Sequence, residues 1–243
     1  VSLVQPGLGL PLGAAAIVVR SVLRTVSRPD WHGLENLPDG GCVIVANHVS
    51  WLDPVTLADV LVASGPVPRI LAKESLFRVP VLGQLLRTMR GVPVSRGTGD
   101  AAAALQHAAE AVRGGDRVVI FPDGTLTKDP EGWPMVGKTG AARLALTTGA
   151  PLVPIAQWGP QQLLPRTGRP RLWPRPRMQV LVGPPVDLSA YQGQPITATV
   201  LREVTDLVVD AVVELLSQLR GEPAPARWDP RTGSRRPAVE GTP

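Results

Sequence analysis

His48 and Asp53 lie five residues apart in the stretch Asn47-His48-Val49-Ser50-Trp51-Leu52-Asp53, and together they can move a proton. A neutral imidazole accepts a proton at physiological pH. A carboxylate bonded to the other ring nitrogen fixes the tautomer and stabilises the imidazolium that forms. Five residues on an ideal helix are about 140° apart. The pair therefore meets only if His48 stands in a loop or first turn and Asp53 in the helix beyond it. Such a pair needs no serine or cysteine nucleophile if it activates an alcohol for direct attack on a reactive acyl donor. Taken alone, the same stretch equally suits a helix capped by Ser50 or Asp53 beside a structural histidine.

Two further stretches carry chemistry. In Phe121-Pro122-Asp123-Gly124-Thr125 a strand runs into glycine and threonine, whose free N–H groups and hydroxyl can hold an anionic oxygen. The Asp123 carboxylate would oppose a phosphate unless it turns toward a basic partner or an acceptor hydroxyl. In Gly91-Val92-Pro93-Val94-Ser95-Arg96, Arg96 closes a strand and offers a planar, permanently charged fork to a phosphate. In isolation the first reads as an ordinary turn and the second as a surface arginine.

These loops must be placed by the elements before and after them. Apolar strand-like runs at Cys42–Ala46, Arg69–Ala72, Val92–Ser95, Arg117–Phe121, Leu152–Ala156 and Met178–Val182 alternate with helical patterns. The helices are expected at Asp53–Ala63, Pro80–Arg90, Asp100–Arg113, Lys138–Thr148 and Thr197–Arg220. This alternation predicts an α/β fold, a single-domain mixed sheet flanked by helices. All three polar loops follow strands, where sites gather in open α/β sheets.

The composition narrows the classes. Hydrophobic residues make up 44% of the chain, enough for a sizeable core. One cysteine, Cys42, excludes a disulfide framework, and no ligand spacing among it and the three histidines suggests a metal. The 25 basic residues exceed the 20 acidic ones, but 22 of them are arginine in a chain rich in Pro and Gly, which resembles the bias of a GC-rich genome. No basic–aromatic interleaving marks a nucleic-acid surface. The positive balance suits anionic membranes and phosphorylated substrates.

The chain is expected to divide into residues 1–30, 31–220 and 221–243. Val1 to Val19 is uncharged, but Pro6, Gly7, Gly9, Pro11 and Gly13 break it, so it is no secure membrane span. No basic residue precedes it, which argues against a signal peptide. Arg20, Arg24 and Arg28 recur every fourth residue, which predicts an N-terminal interfacial helix with its guanidiniums among headgroups. The alternative is a helix packed on the domain. A second membrane candidate, Trp158 to Arg177, holds five arginines, no acid, Trp158 and Trp173. It also suits coenzyme A phosphates or a solvated loop. Residues 221–243 lose all apolar period and are expected to be a disordered tail.

In combination these stretches resemble the glycerolipid acyltransferases, most of all the bacterial 1-acylglycerol-3-phosphate (lysophosphatidate) acyltransferases. Asn47-His48-x-Ser50-Trp51-Leu52-Asp53 is similar to their HxxxxD block. Lys73-Glu74-x-Leu76-Phe77 through Pro80, Gly83, Gly91, Pro93 and Arg96 resembles the second block. Phe121 to Thr125 resembles the third, usually FPEGT, and Val153-Pro154-Ile155 the fourth. The order and spacing match from Leu34 to Ala156. The resemblance implies a glycerol-3-phosphate acyltransferase-like fold, His48 as general base and Asp53 as its orienter. It implies a glycerol phosphate held by Arg96, Gly124, Thr125 and Lys73, with Asp123 contacting the acceptor or bracing the site. It further implies acyl-CoA or acyl-carrier protein as co-substrate, no permanently bound cofactor, phosphatidate as product, and a peripheral or monotopic position at the cytoplasmic face of the cell membrane. Asp123 stands where the family has Glu, and Leu126-Thr127 where many members carry Arg and Ser. Both departures bear on which acceptor is used. Other acceptors (glycerol 3-phosphate, another lysophospholipid, a glycolipid) and a non-catalytic lipid- or carrier-binding module remain open alternatives.

Overall fold

The computed structural model describes residues 10–65, 68–79, 82–88, 91–94, 100–167 and 169–235. In chain order the elements are α1 (Leu10–Val26), β1 (Arg28–His32), β2 (Cys42–Ala46), α2 (Asp53–Ala63), β3 (Arg69–Lys73), α3 (Leu82–Thr88), β4 (Val92–Val94) and α4 (Asp100–Arg113). There follow β5 (Arg117–Ile120), α5 (Gly140–Thr148), β6 (Leu152–Trp158), the short α6 (Pro160–Leu163), β7 (Arg177–Val182), α7 (Ala198–Arg220) and a hairpin of β8 (Trp228–Asp229) and β9 (Ser234–Arg235).

Seven strands form one sheet in the order β1-β7-β6-β2-β5-β3-β4, parallel throughout except between β6 and β7. The central strand β2 is buried along its whole length. Strands buried on both faces read as continuous apolar runs, which is why CVIVA shows no polar alternation. Its side chains still divide by face. Val43 and Val45 pack with Val118, Ile120 and Leu152 against α4, α5 and α7. Cys42, Ile44 and Ala46 pack with Val119, Val153 and Ile155 against Leu57, Val60 and Leu61 of α2. The sheet is thus the middle of three layers, and each fully buried aliphatic side chain contributes roughly 1.5–3 kcal/mol.

Helix ends follow local chemistry. Thr197 caps α7, its hydroxyl accepting from Val200 N at 3.2 Å. Gly221 ends that helix in the left-handed region with φ +67. Along α7, Val200, Leu201, Val204, Val208, Val209, Val212 and Leu216 form the buried stripe.

Two expectations are corrected. The arginine periodicity after residue 19 does not mark one helical face. α1 stops at Val26, and Arg28 begins β1, which pairs with β7 through Arg28↔Arg177 to His32↔Leu181. Arg20 points inward, its Nε 2.7 Å from Asp59 Oδ1 and its Nη2 donating to Asp59 O at 3.0 Å. The stretch after Gly221 is also ordered as far as Arg235. Its hairpin lies beside residues 129–136, with Val136 N donating to Trp228 O at 3.1 Å. Paired arginines and backbone bonds replace the apolar period that a sequence scan looks for. Residues 236–243 lie outside the described residues. None of the described helices is long and apolar enough to cross a membrane.

Candidate active site

The C-terminal ends of the parallel strands β2, β5 and β6 bring three loops together. β2 runs into Asn47 and His48. The Asn47 side chain is clamped to the end of β6: its amide donates to Gln157 O at 2.9 Å and its carbonyl accepts from Gln157 N at 2.8 Å. Gln157 Nε2 returns a bond to Asn47 O at 3.0 Å. With the backbone before it fixed, His48 stands in the loop and Asp53 opens α2.

Asp53 turns its carboxylate back across this loop. Its Oδ2 accepts from His48 Nδ1 at 2.9 Å, from Val49 N at 2.5 Å and from Ser50 N at 2.8 Å. The group is fully buried, and burial pushes its pKa up. The His48 hydrogen bond and charge and the two backbone donors pull against that rise. An ionised carboxylate only accepts, so it places the ring proton on Nδ1 and leaves the Nε2 lone pair able to accept a proton. The His48 side chain retains 12% exposure, so the ring is neither sealed in nor turned from its carboxylate. Phe121, from the third block, stacks on it with centroids 4.2 Å apart and planes at 22°. That contact fixes the ring plane.

β5 delivers the third block. Gly124 takes φ +66, a conformation that favours glycine, and a Cβ there would lie 2.7 Å from Lys138 Nζ. Its N–H donates to Phe121 O at 2.9 Å, so it closes the turn and is not free for an anion, contrary to the expectation from sequence. Thr125 is exposed. Asp123 is buried, and its Oδ1 accepts from Met135 N at 3.2 Å. Its Oδ2 has no hydrogen-bond partner among the described residues. Burial first pushes this carboxyl up to about 7; Met135 N–H, Lys138 and Arg227 work against the rise, and Asp129 adds to it. In this position Asp123 braces the loop around Met135. Lys73 ends β3, where only its backbone is described, and Arg96 lies outside the described residues.

Several supports were invisible in the sequence. Ser50 Oγ donates to Leu164 O at 2.7 Å, which lays the segment after α6 over the His48 loop. Thr127 N donates to His48 O at 2.8 Å, and Arg166 Nη1 to Thr127 O at 2.8 Å. Arg166 and Arg175 therefore serve internal backbone carbonyls, Arg175 Nη2 reaching Ser27 O at 2.8 Å. Their partners lie far off in sequence, so no local spacing signals them. Asn47, adjacent to His48, was the one visible cue. Among the described residues no group of three or more His, Cys, Asp or Glu is disposed to hold a metal.

The chain is 35% identical over 162 residues to a chloroplastic 1-acyl-sn-glycerol-3-phosphate acyltransferase of Brassica napus, covering 65% of this chain and 45% of that protein. It is 31% identical over 163 residues to the 1-acyl-sn-glycerol-3-phosphate acyltransferase of Pseudomonas aeruginosa, covering 65% and 58%. The chain thus spans about half the length of the curated relatives it matches. Its fold is that of the 1-acyl-sn-glycerophosphate acyltransferase of Thermotoga maritima, with a TM-score of 0.64 at 24% identity over 88% of this chain and 81% of the other. The family profile described as Acyltransferase matches residues 28–158, which run from the first strand of the sheet to the end of β6 and contain His48, Asp53 and the Asp123 turn. On that match the chain belongs to the acyltransferase family.

Proposed function

We propose that the chain moves a fatty acyl group from acyl-CoA or acyl-carrier protein to the sn-2 hydroxyl of 1-acylglycerol 3-phosphate, giving phosphatidate, at the cytoplasmic face of the cell membrane. The carrying observation is the His48 Nδ1–Asp53 Oδ2 bond of 2.9 Å at the strand ends, with the ring partly open. The names of the relatives from Brassica and Pseudomonas support the choice of acceptor.

In this reading His48 Nε2 takes the proton of the sn-2 hydroxyl as the oxygen attacks the thioester carbonyl carbon. The C–O bond forms and the carbonyl electrons move to oxygen. Collapse of that oxyanion breaks the C–S bond, and the thiolate leaves with the proton returned from the imidazolium. Asp53 stabilises the charged ring between the two transfers. Thioesters are already activated, so general base catalysis worth about 10²–10⁴ together with positioning supplies the rate. Arg96, Lys73 and Thr125 hold the phosphate, and no resident cofactor takes part.

The test is turnover with labelled acyl-CoA or acyl-carrier protein and a panel of lysolipids and glycerol 3-phosphate, with products identified by mass. Phosphatidate from lysophosphatidate is expected. His48→Ala should lower kcat by roughly 10²-fold or more with the fold retained. Asp53→Asn should do the same by allowing the wrong tautomer. A folded His48→Ala protein with near-normal turnover would overturn the base assignment. Preference for another acceptor would overturn the substrate.

A further inference from the structure

We infer that the β8–β9 hairpin is part of the scaffold of the active site, and that Arg235 is a positioning residue that acts through Asp129 on the His48 loop. The inference rests on the acyl-transfer reading above for its kinetic test and on geometry for the rest.

Three ties converge on the segment 127–136, which follows the Asp123 turn. In the first, Arg235 Nη1 lies 2.7 Å from Asp129 Oδ2 and Nη2 lies 2.6 Å from Glu131 Oε1. The same guanidinium donates to Ala226 O at 2.9 Å, which ties it back to its own hairpin. The Asp129 side chain is 0% exposed, so its charge depends on a partner. Its Oδ1 accepts from Glu131 N at 2.7 Å, which shapes the turn. Asp129 N then donates to Thr127 Oγ1 at 3.1 Å, and that hydroxyl donates to Trp133 O at 2.6 Å. Thr127 N completes the path by donating to His48 O at 2.8 Å.

The second tie runs from β8. Trp228 accepts from Val136 N at 3.1 Å and bridges Met135, whose N–H donates to Asp123 Oδ1 at 3.2 Å. Arg227 fastens this strand to α7 through Asp206, at 2.7 Å, and through Asp210. The third tie is the Arg220 guanidinium at the end of α7. It lies 4.1 Å from the Trp133 ring centroid and 4.3 Å from that of Trp158, joining the loop to the end of β6. The hairpin therefore sets the position of a loop that holds both the His48 backbone and the Asp123 carboxylate. A misplacement of about 1 Å at a catalytic base can cost roughly 10²-fold in rate.

The experiment compares Arg235→Ala, Arg235→Lys, Asp129→Asn and the double variant Arg235→Ala/Asp129→Asn in the full chain. Rates are measured per folded molecule, with thermal midpoints determined alongside. Arg235→Ala is expected to lower kcat about tenfold or more while KM for both substrates changes less than about twofold. Arg235→Lys should restore most of the loss. The double variant should be more active than Arg235→Ala, because it removes the stranded carboxylate while keeping its acceptor oxygen. Unchanged kcat in folded Arg235→Ala, or a loss that lysine does not restore, overturns the inference. If wild-type protein shows no transfer to any acceptor, the functional reading fails by itself and amide exchange decides the hairpin's role. In that case Thr127, Asp129 and Met135 should exchange faster in Arg235→Ala than in wild type, and equal protection overturns the inference.

Discussion

At the scale of single residues, the two buried carboxylates of the site do opposite jobs. On Asp53 three N–H groups converge on Oδ2. Asp123 has a single backbone donor on Oδ1, and in both carboxylates the second oxygen has no hydrogen-bond partner among the described residues. Its carboxyl is held up to about 7 from an ordinary 3.8, first by burial. Between those values the folded protein keeps a proton that the unfolded chain has released. The associated stability is fully present below about pH 4 and is lost as pH rises through about 7. The gap between the folded and unfolded values corresponds to at most roughly 4 kcal/mol. Asp123→Asn keeps the acceptor for Met135 N and cannot ionise. Denaturant unfolding should therefore show the variant gaining on wild type from pH 5 to about pH 7 and holding that lead to pH 8.5. A wild-type-minus-variant difference that stays flat across the whole range would mean Asp123 is ionised in the fold already at pH 5.

At the scale of elements, the central strands and the long helices were legible because their signals are local. CVIVA and RVVIF are apolar runs with turn residues at both ends, and α2, α4 and α7 carry their own periodicity. The His48–Asp53 pairing was legible for the same reason, since five residues and a strand-to-helix turn contain it. β1 was not legible: its sequence RPDWH has no apolar alternation, and its place is fixed by β7, about 150 residues on. The hairpin after α7 and the role of Arg20 were hidden because ion pairs leave no period. An arginine four residues from another reads as a solvated or lipid-facing stripe until its partner is known. Arg20 and Asp59 make the point, because the pair joins α1 to α2 with both side chains at 10% exposure or less. Breaking one half strands the other. Arg20→Ala should cost roughly 3 kcal/mol in unfolding free energy, whereas Arg20→Met combined with Asp59→Leu should come within about 1 kcal/mol of wild type. Equal losses in the two variants would show that α1 is held by its apolar contacts instead.

At the scale of the whole molecule, the strands of the sheet end in polar loops, and two of the surfaces that expose apolar side chains are tied to each other through the backbone. Ile17, Val18 and Val22 are exposed on α1, and Leu172 and Trp173 are 60% and 80% exposed in the segment before β7. Arg175, two residues after Trp173, donates to the backbone of Ser27, which ties this segment to the end of α1. The same segment crosses the His48 loop through Leu164 and Ser50. Arg169 and Arg171 in this segment, and Arg24 and Arg28 at the end of α1, are exposed as well. Exposed tryptophan and leucine beside exposed arginines suit an anionic interface, and on the proposed function this segment is expected to contact the membrane that carries the acceptor. Leu172→Ser/Trp173→Ser removes two apolar side chains of the size whose burial is worth roughly 1.5–3 kcal/mol each. Flotation with vesicles containing anionic phospholipid should show binding weakened about tenfold or more. Turnover on a long-chain, membrane-borne acceptor should fall in parallel, while turnover on a short-chain acceptor below its micellar concentration should stay within about twofold of wild type. A loss on both acceptors would place the two residues in the catalytic step, and a loss on neither would remove this segment as a contact with the membrane.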